Sequence, residues 1–102
     1  MIEIEVTKTN GGITAAFSGH AGYEQVGKDI VCAGVSALFY ALLLGAGRIV
    51  PDSLTVQGKT VIVRNITPEI KGALTAVFEG LSAIAEQYPA HVKMTGWTSN
   101  DT

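Results

Sequence analysis

The sequence predicts an α+β fold, a mixed and mostly antiparallel sheet with two helices packed on one face, in the order β-β-α-β-β-α-β. Three observations carry this. Apolar and polar residues alternate in short stretches paired around glycine turns, the pattern of strands with one buried face. Two longer stretches are apolar at helical spacing or nearly all round. One of these lies between the two strand pairs, which places both helices on the same side of a single sheet.

The elements follow in order. Ile2, Ile4 and Val6 alternate with Glu3, Glu5 and Thr7, giving a first strand. Asn10, Gly11 and Gly12 form its turn, because these residues tolerate the positive φ of tight hairpins. Ile13, Ala15 and Phe17 alternate again and lead into Ser18, Gly19 and His20. His20 thus arrives at the end of a strand. Residues 22–27 carry no core pattern and are bracketed by glycines, which predicts a mobile loop. Asp29 is a suitable N-cap for a helix over residues 30–46, closed by Gly45 and Gly47. Pro51, Asp52 and Ser53 break the chain, and residues 54–57 and 60–65 make the second strand pair around Gly58 and Lys59. Thr67 and Pro68 open the second helix as cap and first helical residue. Its buried stripe is Ile70, Leu74, Val77, Leu81, Ile84 and Tyr88, and Pro89 ends it. Val92 and Met94 share one face of a last strand.

With 102 residues and 10.7 kDa, the chain has the size of one domain, assigned to residues 1–97, with a polar tail at 98–102. An apolar fraction of 47% against 16% charged residues excludes the disordered class. The net charge is −2 and the seven basic residues are scattered, so no nucleic-acid footprint exists. A lone cysteine cannot form an intrachain disulfide, and the acidic, alternating start does not resemble a signal peptide; both point to the cytoplasm. Residues 30–47 contain no charge, which reaches the lower bound for a membrane span. Small residues at Gly34, Ala37, Ala41 and Gly45, without an aromatic belt or basic flank, favour a helix buried between its own sheet and a second subunit. No metal-ligand spacing and no phosphate-binding glycine loop is present, so neither metal nor cofactor is expected.

Chemistry concentrates between positions 19 and 36. With Asp29 as cap, Cys32 is the third residue of the helix, where unpaired N–H groups and the helix dipole favour a thiolate and a developing oxyanion. An adjacent histidine completes a nucleophile–base pair, with Cys32 and His20 as the catalytic candidates. The plainer alternatives are a small buried hydrophobe for Cys32 and a surface turn residue for His20. Asp29 either caps the helix, orients His20 or holds the loop. Ser36, one turn after Cys32, hydrogen-bonds near the thiol or back-bonds to a helix carbonyl. Gly22, Tyr23, Glu24, Gln25 and Gly27 form the candidate substrate loop. His91 reads as structural or exposed within the last strand, and Trp97 and Tyr88 as packing residues.

The string Gly19-His20-Ala21, followed by Gly27-x-Asp29-Ile30-Val31-Cys32-Ala33-Gly34-Val35-Ser36, resembles the ribosomal-processing cysteine protease family, Prp. Beyond this string the likeness lies in length and element order. The resemblance implies a cytoplasmic, homodimeric endopeptidase with Cys32 as nucleophile and His20 as base. Asp29 and Ser36 match positions that accompany the dyad. It further implies a peptide substrate: a short N-terminal extension removed from a large-subunit ribosomal protein after an aromatic residue, or a phage structural protein. Val26 departs from the tyrosine or acidic residue common before the second loop glycine. The alternatives are a non-catalytic dimeric assembly or binding module, and a thiol-based redox sensor.

Overall fold

Alternation does place the core. In the computed structural model, which describes residues 1–25 and 28–98, β1 (Ile2–Thr9) and β2 (Gly12–Ser18) form an antiparallel hairpin with Ile4 opposite Phe17 and Val6 opposite Ala15. Ile2, Ile4, Val6, Ile13, Ala15 and Phe17 are buried, while Glu3, Glu5 and Thr7 face outward. A register slip of one residue would turn every one of these side chains over, so the pattern fixes the pairing. β3 (Leu54–Gln57) and β4 (Thr60–Arg64) form the second hairpin, and β4 pairs with β2, setting Val61 and Val63 opposite Ala15 and Ile13. β5 (Val92–Thr95) returns parallel to β1, with Val92 beside Ile2. The sheet order is β3-β4-β2-β1-β5.

Two helices cover the buried face. α1 (Ile30–Ile49) buries Val31, Val35, Leu42 and Ala46, and α2 (Pro68–Gln87) buries Ile70, Leu74, Val77, Phe78 and Leu81. The expected stripe of α2 omitted Phe78, which is fully buried and meets the Trp97 ring at 5.0 Å between centroids. Phe78 follows Val77 and widens the stripe toward β5; a strict one-sided period misses such a residue. The helices approach closely through glycines. A Cβ on Gly80 would stand 3.1 Å from Leu38 Cδ1, and one on Gly34 would stand 3.4 Å from Ile84 Cδ1.

α1 is longer than the sequence suggests. Gly45 and Gly47 do not close it; the helix runs to Ile49, and the Val50 N–H bonds to the Ala46 carbonyl at 2.8 Å. An internal glycine costs only about 1 kcal/mol relative to alanine, which burial of Ala46 and Val50 offsets. The stop comes at Pro51, in the 3₁₀ turn Pro51–Ser53. By length and composition alone α1 could cross a membrane. Its sheet-facing side is nevertheless packed in the core, and its other side exposes Ile30, Tyr40 and Leu44.

Candidate active site

The site lies where β2 ends and α1 begins. β2 stops at Ser18, and Gly19 turns the chain with φ +82°. A Cβ there would fall 2.1 Å from the Met1 carbonyl oxygen, so the turn is pressed against the start of β1 and only glycine fits. His20 follows, exposed, and Ala21 then dives into the core at 3% exposure. The base candidate is thus presented outward between two fixed backbone points.

Asp29 joins this segment to the helix. Its Oδ1 accepts the Cys32 N–H at 2.9 Å, the N-cap bond, while its Oδ2 accepts the N–H groups of Tyr23 at 3.0 Å and Glu24 at 3.3 Å. One carboxylate therefore caps α1 and holds the loop three residues past His20. The described part of the loop, expected to be mobile, is tied at this point and again by the Lys28 N–H on the Gln25 carbonyl at 2.9 Å. Gly27 lies outside the described residues, as do residues 99–102 of the expected tail. The Cys32 N–H bond, above all, holds the Asp29 carboxyl below its ordinary value of 3.8, with the Glu24 and Tyr23 N–H groups adding to it and partial burial opposing it.

Cys32 is half-buried and packs against the core. Its own amide is engaged by Asp29, so of the first-turn donors expected to serve an oxyanion, this one is already used. Ser36 is exposed, and its hydroxyl makes neither of the two hydrogen bonds expected of it with any described residue. With Gly19, Ile2, Phe17, Val35 and Phe39, among others, it lines a cavity of about 150 Å³. The turn before His20 and the helical turn after Cys32 therefore share one recess. No hydrogen bond joins the His20 ring to Cys32 Sγ or to Asp29 among the described residues. No group of three or more metal-ligating side chains occurs among them either.

His91, read from the sequence as structural or exposed, belongs to this neighbourhood. It lies just before β5 rather than in it, and its Nδ1 stands 2.9 Å from the Ala21 carbonyl oxygen. The Tyr23 ring packs edge-on against both His91, at 5.3 Å, and Tyr88, at 5.4 Å. Nothing local in the sequence announces this contact, because it joins positions 70 residues apart.

Comparison with known proteins identifies the family and the fold. The family model described as cysteine protease Prp matches residues 1–93. The ribosomal processing cysteine protease Prp of Mycoplasma genitalium is 30% identical over 80 residues, covering 72% of this chain and 78% of that protein. Among solved structures, the ribosomal processing protease Prp from S. aureus, in complex with a covalently linked product peptide, superposes with a TM-score of 0.68. It shares 23% identity over 92% of this chain and 97% of that one. A Streptococcus mutans protein gives a TM-score of 0.70 at 24% identity, over 92% and 91% of the two chains. At these identities the structures show a shared fold.

Proposed function

Because the chain belongs to the cysteine protease Prp family, and so is a cysteine protease, we propose that Cys32 and His20 are its catalytic dyad. The observation that carries this is the Asp29 carboxylate, which holds the Tyr23 and Glu24 amides and the Cys32 amide on its two oxygens. It ties the histidine-bearing loop to the first turn of the cysteine-bearing helix.

The Cys32 thiolate attacks the scissile carbonyl carbon, and the carbonyl π electrons move to oxygen. The His20 imidazolium then gives its proton to the departing amine, so the C–N bond breaks and leaves a thioester on Sγ. Neutral His20 takes a proton from water as the water oxygen attacks the thioester carbon; the C–S bond then breaks, releasing the acid and restoring the Cys32 thiolate beside the His20 imidazolium. The dyad closes when a peptide seats over the loop, since catalytic hydrogen bonds commonly tighten only in the substrate complex. The recess beside Gly19 and Ser36, floored by Phe17 and Phe39, supports binding of an extended peptide with a large apolar side chain.

The substrate in this reading is the N-terminal extension of a large-subunit ribosomal protein, or a related segment of a phage structural protein; the ribosomal name of the Mycoplasma relative supports the former. Such a substrate places the work in the cytoplasm. A second copy of the chain covers the outer face of α1, where Ile30, Tyr40 and Leu44 are 63%, 56% and 67% exposed. Incubation with a peptide carrying the extension tests the reading. Wild type cleaves it, and Cys32→Ala and His20→Ala, both folded, do not. Persistent cleavage by the Cys32→Ala protein would end it.

A further inference from the structure

We propose that His91 is a positioning residue for the reaction, fixing the peptide that presents His20; this rests on the reading of His20 as the base. His91 has every backbone polar group committed. Its N–H bonds to the Tyr88 carbonyl at 2.9 Å and its carbonyl accepts the Ile2 N–H at 2.9 Å. These bonds lock its backbone between the end of α2 and the start of β1. Its ring is then aimed across to the loop, where Nδ1 meets the Ala21 carbonyl oxygen at 2.9 Å. A carbonyl oxygen only accepts, so Nδ1 carries the proton and donates.

The bonded carbonyl belongs to the residue directly after His20. Upstream, Gly19 is wedged against the Met1 carbonyl; downstream, His91 grips Ala21, and Asp29 holds Tyr23 and Glu24. Without His91 the stretch between Gly19 and Tyr23 keeps no side-chain hydrogen bond to its backbone among the described residues. The Tyr23 ring, packed edge-on against His91, transmits the same restraint to the loop that faces substrate. A histidine held this way needs no contact with the thiol to affect turnover, because a misplacement of about 1 Å at a catalytic group costs about 10²-fold in rate.

The test is a set of variants assayed on the extension peptide, each with its thermal unfolding midpoint. His91→Phe keeps a ring against Tyr23 but loses the donor; kcat should fall between about 10- and 100-fold, with KM within about twofold. His91→Asn, whose side-chain amide falls near the Nδ1 position, should recover most of kcat, whereas His91→Gln, whose amide falls near Nε2, should not. A merely structural role would move the midpoint and leave kcat of the folded protein alone. Wild-type kcat in His91→Phe overturns the proposal. Where His91→Phe does not fold, equal kcat in the Asn and Gln variants overturns it. His20→Ala separates the two ideas: an inactive His20→Ala beside a fully active His91→Phe removes the positioning role alone. An active His20→Ala removes the base assignment and this inference with it.

Discussion

Replacing Gly19 with alanine should lower both the stability of the chain and the turnover of the protein that remains folded. Two separate penalties act there. An L-residue at φ +82° pays about 1–2 kcal/mol of backbone strain. The added methyl would also stand 2.1 Å from the Met1 carbonyl oxygen and 3.2 Å from its carbon, both backbone atoms that cannot rotate away. Relief requires the turn and β1 to part by roughly 1 Å, and the next residue is His20; a shift of that size costs about 10²-fold in rate. Gly11→Ala is the control. It carries the same strain at φ +80° with nothing within 4 Å of the added methyl, at the other end of β2. Its midpoint should fall by about 4–8 °C per kcal/mol of strain, given a chain of this size, with kcat of the folded protein unchanged. Steady-state kinetics on the extension peptide, paired with thermal unfolding, separates the two. Equal kcat values for folded Gly19→Ala and wild type would refute the argument that the Gly19 turn sets the position of His20.

Asp29 gives an acid-stability signature. Its carboxyl ionises below 3.8 in the folded chain, so its contribution is complete above the unfolded value and fades as pH falls through the lower folded value. Unfolding midpoints of wild type and Asp29→Asn should differ most near neutrality and converge as pH drops below about 4; a constant gap down to pH 2.5 would contradict this. Leu44→Lys tests the outer face of α1. Leu44 is 67% exposed, so the monomer should tolerate lysine, whereas burying an unpaired ammonium in an interface is costly. Sedimentation velocity should show a dimer for wild type and a monomer for the variant. A variant that remains dimeric would place the interface elsewhere.

Much of this architecture is written locally. The alternation in β1, β2 and β4 sets both the register and the buried face, because a strand offers its side chains only two directions. Asp29 and Thr67 mark their helix starts, each accepting the N–H three residues on. The end of α1 was less legible, since a glycine penalty of about 1 kcal/mol is outweighed by packing that no local window contains. Phe78 escaped for the same reason, as its partner Trp97 comes from beyond β5.

The candidate site divides along the same line. Short-range chemistry sufficed to single out Cys32 in a first helical turn, His20 after a strand end and Asp29 as cap, because these roles depend on neighbours within a few residues. Only the folded chain showed that Asp29 also grips Tyr23 and Glu24, that Gly19 is jammed against Met1, and that His91 reaches Ala21. The last of these arises because β5 pairs alongside β1 and brings His91 to the rim of the sheet, whereas the β1–β2 hairpin sets Gly19 against Met1 and Asp29 reaches back across its own loop. A local pattern decides which residue types can do chemistry, whereas the aim of their side chains depends on strand pairing between distant segments.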